Sequence, residues 1–243
     1  MENAPSFYID GPDRAGPFVV TCDHATNRVP PEIGTLGLPT EDMERHIAYD
    51  PGALGVARAL GALLDAPVVS SNFSRLVIDP NRGADDPTLI MQLYDGSIIP
   101  ANRAVDAAER ARRIAAYYQP YDDALARVFA DRPKAALIAV HSFTPQLRGR
   151  APRPWQIGVL FAHDDRLSRP LIAALEADPA LCVGVNEPYV GHLPGDAVDR
   201  HALRSGRHNT LIELRNDLIA DADGQGTWAE YLAPQLQTAL AAI

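Results

Sequence analysis

The chain has little of what would mark several large classes of protein. Its two cysteines, Cys22 and Cys182, in 243 residues are too few for a disulfide framework and suit a reducing compartment. No apolar run approaches the roughly 20 residues that a bilayer-spanning helix needs. The amino-terminal Met1-Glu2-Asn3-Ala4-Pro5 lacks the basic-then-apolar order of a secretory leader. A cytoplasmic protein without membrane contact is therefore expected. Basic stripes are also missing: the net charge is −9, the isoelectric point is near 5.2, and the arginines are scattered among acids. Such a surface excludes nucleic acid as a partner and favours a small molecule. There is no Gly-x-Ser-x-Gly elbow and no phosphate-cradling Gly-rich loop, so serine-hydrolase and nucleotide-dependent chemistry lack support. Repeats and low-complexity tracts are likewise absent.

What the chain does have is 47% hydrophobic residues, enough for a substantial core, and no linker to divide it. A single domain over 1–243 is expected. Short β-branched runs alternate with Ala/Leu/Arg segments of helical period, the pattern of an α/β layered fold. Strands are predicted at 17–22, 67–71, 75–79, 135–141, 156–162, 181–185 and 209–215. Between them Leu54, Ala57, Leu60, Gly61 and Leu64 recur at the spacing of one buried helix face, with Asp50-Pro51 as its start signal. A helical stretch from about 101 to 130 should break or kink at Pro120. Thr227 with Glu230 predicts a capping box for a last helix through Ala242, and Ser168 a cap for the helix from Arg169 to Ala177. Three long polar segments, 80–100, 142–155 and 186–208, follow strand ends and are suited to form the walls of a pocket.

Three predicted strands end on residues with hydrolytic potential: 17–22 on Asp23-His24, 135–141 on His141, and Leu211-Ile212 on Glu213. In α/β sheets the ligand crevice lies beyond the strands' carboxyl ends, so these groups should converge there. Neutral imidazoles at such positions are good zinc ligands, which makes His24 and His141 candidates for a catalytic metal site. A third ligand is required. Asp50 is the preferred candidate, although an Asp before Pro is also an ordinary helix cap; Asn27 and His46 are fallbacks. His163 with Asp164 and Asp165 forms a rival cluster that a solvated turn explains equally well. Glu213, set among apolar strand residues, should have a raised pKa and act as a general base, unless it simply pairs with Arg215. Asn81 and Arg82 suit a clamp on a substrate carboxylate, and Arg75 is either a second cation there or a structural ion pair. Arg148, Arg150 and Arg153 form a loop cluster from which one arginine could reach an acidic substrate. Cys22, two residues before His24 on a strand, allows a thiolate–imidazole pair, against which stands the commoner buried apolar cysteine.

The segments Val20-Thr21-Cys22-Asp23-His24-Ala25-Thr26-Asn27-Arg28-Val29-Pro30, Ser74 to Arg82, His141-Ser142-Phe143-Thr144-Pro145 and Ile212 to Ile219 resemble, in that order, the N-formylglutamate amidohydrolase family. That family is related to the zinc carboxypeptidases. The resemblance implies a three-layer, phosphorylase/hydrolase-like (zinc carboxypeptidase-like) α/β fold with a mixed central sheet flanked by helices. It further implies one divalent metal ion, Zn2+, on His24 and His141, general-base chemistry at Glu213, and carboxylate recognition by Asn81-Arg82. Asn27 stands where the carboxypeptidase pattern has glutamate, so Asp50 as the third ligand rests on the reading of this chain alone. The implied reaction is hydrolysis of the N-formyl or related N-acyl amide of a small acidic amino acid, with Arg75, Arg215 or an arginine of the 148–153 loop reading a second carboxylate. Competing expectations are a non-catalytic carboxylate-binding domain on the same fold and a Cys22-dependent hydrolase.

Overall fold

The computed structural model describes residues 4–243; Met1 to Asn3, the start of the segment that lacks the order of a leader, lie outside the described residues. Nine strands are present: β1 (Phe7–Asp10), β2 (Phe18–Cys22), β3 (Val68–Ser71), β4 (Leu93–Tyr94), β5 (Ser97–Ile98), β6 (Ala136–Phe143), β7 (Ile157–Leu160), β8 (Val183–Val185) and β9 (Asn209–Arg215). Seven of them form one mixed sheet in the order β1-β3-β2-β6-β9-β7-β8, while β4 and β5 make a separate hairpin. The central strands β3, β2, β6 and β9 run parallel, β1 is antiparallel to β3, and β7 is antiparallel to β9. The helices are α1 (Thr40–Met43), α2 (Ala53–Leu63), α3 (Ala107–Arg113), α4 (Gln119–Asp131), α5 (Ser168–Glu176), α6 (Ala197–His201) and α7 (Ala222–Ala241).

Strand alternation divides the core. Phe18, Val20, Cys22, Ile138, Val140, Ile212 and Leu214 face α2, α5 and α7 on one side of the sheet. Val19, Leu137 and Ala139 face the other side, where Tyr121, Leu125 and Phe129 of α4 pack with Val198 of α6. Because side chains alternate, His141 falls on the same face as Leu137 and Ala139, and Glu213 on the face opposite that of Ile212 and Leu214. The sheet register sets His141 directly beside Glu213. Two sequence-distant groups are thus brought side by side by strand pairing alone.

Of the predicted helix face, Ala57, Leu60, Gly61 and Leu64 are buried and Leu54 is half-buried, with Ala53 and Val56 also in the core, but Asp50 does not cap the helix. The residue before the helix is Gly52 at φ 80°, which leaves the Asp50 side chain to turn toward the sheet. Several other expectations are corrected. The 75–79 run is a buried turn rather than a strand: Leu76, Val77 and Ile78 are core residues, and Val77 N–H donates to Ser74 O. A short apolar run does not by itself distinguish the two. Pro120 does not divide the 101–130 stretch; a π-turn at Ile114–Tyr118 carries α3 directly into α4, and Pro120 lies in the first turn of α4. The helix starts later than about 101, after a 3-10 turn at Pro100–Ala104, with Asp106 as its cap accepting from Glu109 N. Thr227 is internal to α7, which is capped instead by Asp221 through Gly224 N. Ser168 bonds to Thr210 Oγ1 rather than capping α5.

Gly52 is required twice over: it has a positive φ, and a Cβ there would meet Ile219 O at 2.1 Å. Gly52→Ala should lower the unfolding free energy by at least ~2 kcal/mol in urea titration, the sum of left-handed strain and backbone clash. An unchanged midpoint would contradict this reading of the turn that delivers Asp50.

Candidate metal and substrate site

Beyond the carboxyl ends of β2, β6 and β9 lies a cavity of about 410 Å³, lined among others by His24, His46, Asp50, Arg75, Asn81, Arg82, Tyr94, His141 and Glu213. Four of the lining side chains come from four separate elements. His24 follows β2, Asp50 precedes α2, His141 lies in β6 and Glu213 in β9. The bond from Asp50 N–H to His24 O holds the first two segments together.

At the centre sits Asp50 Oδ2, 3.2 Å from His24 Nδ1 and 2.8 Å from His141 Nδ1. One ligand atom from each of these three residues lies within 4.8 Å of the others, and all three residues are buried. The remote ring nitrogens are held just as firmly. His24 Nε2 faces Asp79 Oδ1 at 2.7 Å, and His141 Nε2 faces Asp23 Oδ2 at 3.2 Å. With a cation at Asp50, the carboxylate behind each ring would keep the proton on Nε2 and free the Nδ1 lone pair for the ion. Two imidazole lone pairs and a carboxylate oxygen aimed at one point form a donor set that fits a divalent cation. Asp79 is in turn held by Arg75 Nη2 at 2.9 Å, and Asp23 by Tyr121 Oη at 2.6 Å.

Titration behaviour follows from this packing. Burial opposes ionisation of Asp23, Asp50 and Asp79, yet the neighbouring imidazoles, and for Asp79 also Arg75, hold all three below the usual carboxylate range. Burial would likewise lower the His141 pKa, but the hydrogen bonds with Asp23 and Asp50 carry it well above its ordinary value. In the metal-free protein, then, a proton on His141 takes the place of part of a cation's charge. Glu213 goes the opposite way, raised to about 8 chiefly by burial, and its Oε2 has no hydrogen-bond partner among the described residues. His46 is lowered to about 4, again chiefly by burial.

The substrate-clamp candidates are also placed at this cavity. Asn81 accepts from Ala197 N with its Oδ1, which orients the amide, and its Nδ2 has no protein partner among the described residues. Arg82 Nη1 donates to Asn81 O and its Nε to Thr88 Oγ1. The loop carrying both is pinned: Arg200 donates to Pro80 O and Arg82 O, and Tyr118 Oη donates to Arg82 O. Arg75 is buried and committed to Asp79, with Asp50 Oδ1 3.5 Å away, so it supplies fixed positive charge rather than an open fork.

Other candidates are not brought in. Arg215 lies outside the cavity lining, with its Nε on Asp217. Asn27 lies outside the cavity lining, with its Nδ2 donating to Met43 O. Asp164 and Asp165 pair with Arg166 and Arg169, which is the solvated-turn alternative. Cys22 is fully buried between sheet and helices, its thiol pushed up by burial; the strand ends at Cys22, so its side chain does not follow His24 into the cavity. Of the 148–153 loop, Arg153 stacks on Phe143 and Tyr189 near the cavity, while Arg148 borders a neighbouring cleft. The carboxylates behind the histidines were not anticipated from the sequence. Their signals were nevertheless present: Asp23 adjoins His24, and Asp79 closes the run that begins at Arg75.

Comparison with known proteins identifies relatives of the chain. A sequence model of the N-formylglutamate amidohydrolase family matches residues 16–220. The N-formylglutamate deformylase of Pseudomonas aeruginosa is 28% identical over 237 residues, covering 88% of this chain and 85% of that protein. A gene product of Agrobacterium tumefaciens has a crystal structure similar at a TM-score of 0.94 with 36% identity, over 98% of this chain and 96% of that one. The crystal structure of N-formylglutamate amidohydrolase from Ralstonia eutropha JMP134 shares the fold at a TM-score of 0.77 and 22% identity, over 98% of each chain.

If Asp23 and Asp79 orient the histidines, Asp23→Asn and Asp79→Asn should each weaken divalent-metal binding by about 10- to 100-fold in a competitive chelator titration. Unchanged affinity would remove that role. A second expectation concerns pH. Glu213 ordinarily loses its proton near 4.5 but in the folded metal-free protein keeps it to about 8. Between those values the folded state binds more protons, so this group's contribution is complete below 4.5 and lost as the pH rises toward 8. In urea titrations of metal-free protein, Glu213→Gln should therefore gain stability over the native chain as the pH rises from about 5 to 8. A difference independent of pH would contradict it.

Proposed function

The chain belongs to the N-formylglutamate amidohydrolase family, and from that premise we propose that it is a metal-dependent amidohydrolase cleaving the N-formyl or N-acyl amide of a small acidic amino acid, with N-formyl-L-glutamate as the substrate of choice. One observation carries this reading: a buried Glu213 with a free carboxylate oxygen stands beside three converging metal donors in a cavity that also presents Asn81 and Arg82.

His24, Asp50 and His141 would hold the ion, Zn2+ being the expected one. When bound it supplies Lewis acidity, polarising the scissile carbonyl and acidifying a water. The chain's own groups do the rest. Glu213 takes a proton from the attacking water at its unpartnered Oε2 and later delivers it to the departing amine nitrogen. Its burial raises its proton affinity above that of a free carboxylate, which suits a group that accepts the water's proton and returns it to the amine. Asn81 Nδ2 and Arg82 bind the α-carboxylate, and the contacts of Arg200 and Tyr118 hold those groups so that little ordering is left to binding. Arg75 adds a fixed positive field on the side of Asp50 and Asp79.

Formate release from N-formyl-L-glutamate by zinc-reconstituted protein, compared with chelator-stripped protein, tests this. Chelator-sensitive release is expected. Glu213→Gln should keep its metal and lose about 10²- to 10⁴-fold in kcat, whereas Arg82→Ala should chiefly raise KM. Metal-loaded protein that releases no formate would exclude this substrate. A chain that binds an acidic ligand but no metal would be a binding domain instead.

A further inference from the structure

His46 belongs neither to the three-donor cluster nor to the carboxylate clamp. Its side chain is only 9% exposed, and it lines the cavity on one side and a neighbouring cleft on the other. Tyr94 shares both positions and packs against it, with ring centroids 6.5 Å apart. Neither ring nitrogen has a hydrogen-bond partner among the described residues. Buried polar atoms are rarely left so, and a ring kept unpartnered at the wall of a binding cavity calls for a partner that arrives with the ligand.

The surroundings fix which kind of partner. Nδ1 lies 3.4 Å from Asp50 Oδ1, an oxygen that also lacks a well-aligned hydrogen bond. A carboxylate oxygen repels a lone pair on that nitrogen and favours a proton there, which leaves the lone pair on Nε2. Nε2 is thus an acceptor in need of a donor. An N-acyl amino acid with ionised carboxylates offers acceptors at every polar atom except one, the N–H of the amide to be cleaved. After cleavage the same nitrogen becomes an amine with additional donors.

We propose that His46 is a substrate-contacting residue whose Nε2 accepts a hydrogen bond from the scissile amide N–H and then from the released amine, so that the site selects amides over the corresponding esters. This assignment rests on the amidohydrolase reading above. It deepens that reading, because a buried acceptor facing an ester oxygen would be left opposite another lone pair, a mismatch that sites built for hydrogen bonding reject strongly.

The test compares kcat/KM for N-formyl-L-glutamate with that for 2-formyloxyglutarate, in which oxygen replaces the N–H, using native protein and His46→Leu. Bound metal per chain is measured beside the rates. His46→Leu should lose on the order of 10- to 100-fold on the amide, the scale of one buried hydrogen bond, and less than about threefold on the ester, with metal content unchanged. His46→Gln, which restores an acceptor oxygen, should recover part of the amide rate, and His46→Phe replaces His46→Leu if the latter does not fold. As a readout independent of turnover, calorimetry in the Glu213→Gln background should show tighter binding of the amide than of the ester only while His46 is present. Parallel losses on both substrates, a loss of metal, or no loss on either would overturn the assignment while leaving the amidohydrolase reading intact. If native protein hydrolyses neither substrate, that reading falls and this assignment with it.

Discussion

Buried negative charge is the constraint around which this protein is arranged. Asp23, Asp50 and Asp79 are each at most 2% exposed, and they converge on two imidazoles, with Arg75 the one fixed cation bonded directly to any of them among the described residues. Carboxylates removed from water in this way need a counter-charge close by, since desolvation otherwise forces protonation. The metal-free protein meets the requirement by drawing a proton onto His141. A divalent cation between His24, Asp50 and His141 would meet it more fully, and the outer carboxylates would then serve as the fixed supports that keep each imidazole turned inward.

The same constraint explains where the parts of the fold sit. Parallel strand pairing carries His141 and Glu213 to adjacent positions on one face of the sheet, so the proposed general base stands beside the candidate metal donors without any loop having to bring it there. Gly52 lets the chain turn at the start of α2 so that Asp50 enters the cavity instead of capping the helix. Tyr121 comes from α4 on the opposite layer and closes the support of Asp23. The substrate side is different in kind. It is built from the 80–100 and 186–208 segments, tied together by Arg200 and by the Asn81 contact with Ala197. On the proposed function, strands would hold the chemistry and pinned loops the recognition, a division that would allow specificity to change while a metal centre stays.

Much of this was legible in the sequence because strand-end residues in α/β sheets converge by geometry. His24, His141 and Glu213 were readable on that rule, and Asp50 was readable as one of two alternatives. The remainder depended on tertiary contacts that periodicity does not encode. The 75–79 run has the apolar content of a strand, yet it folds as a turn because Arg75 and Asp79 must both reach the site, four residues apart, and bond to each other. Pro120 read as a breaker, but the π-turn before it accommodates the missing donor. Thr227 and Glu230 matched a capping pattern, while Asp221 takes the cap and buried Ala229, Leu232 and Leu236 sustain the helix beyond it. Arg215 is near Glu213 in sequence but pairs with Asp217 at the end of its strand. The supporting roles of Asp23 and Asp79 are not legible in the sequence, because a supporting carboxylate differs from a surface one only in what lies next to it.

The most direct measurement is anomalous diffraction at the zinc edge from crystals grown with zinc and from chelator-treated crystals of the same protein. A single strong peak bounded by His24 Nδ1, His141 Nδ1 and an Asp50 carboxylate oxygen, lost on chelation, is the predicted result. No peak at that position, or ordered zinc on other residues while these three side chains stay hydrogen-bonded to one another, would contradict the claim that the buried carboxylates are there to hold a cation.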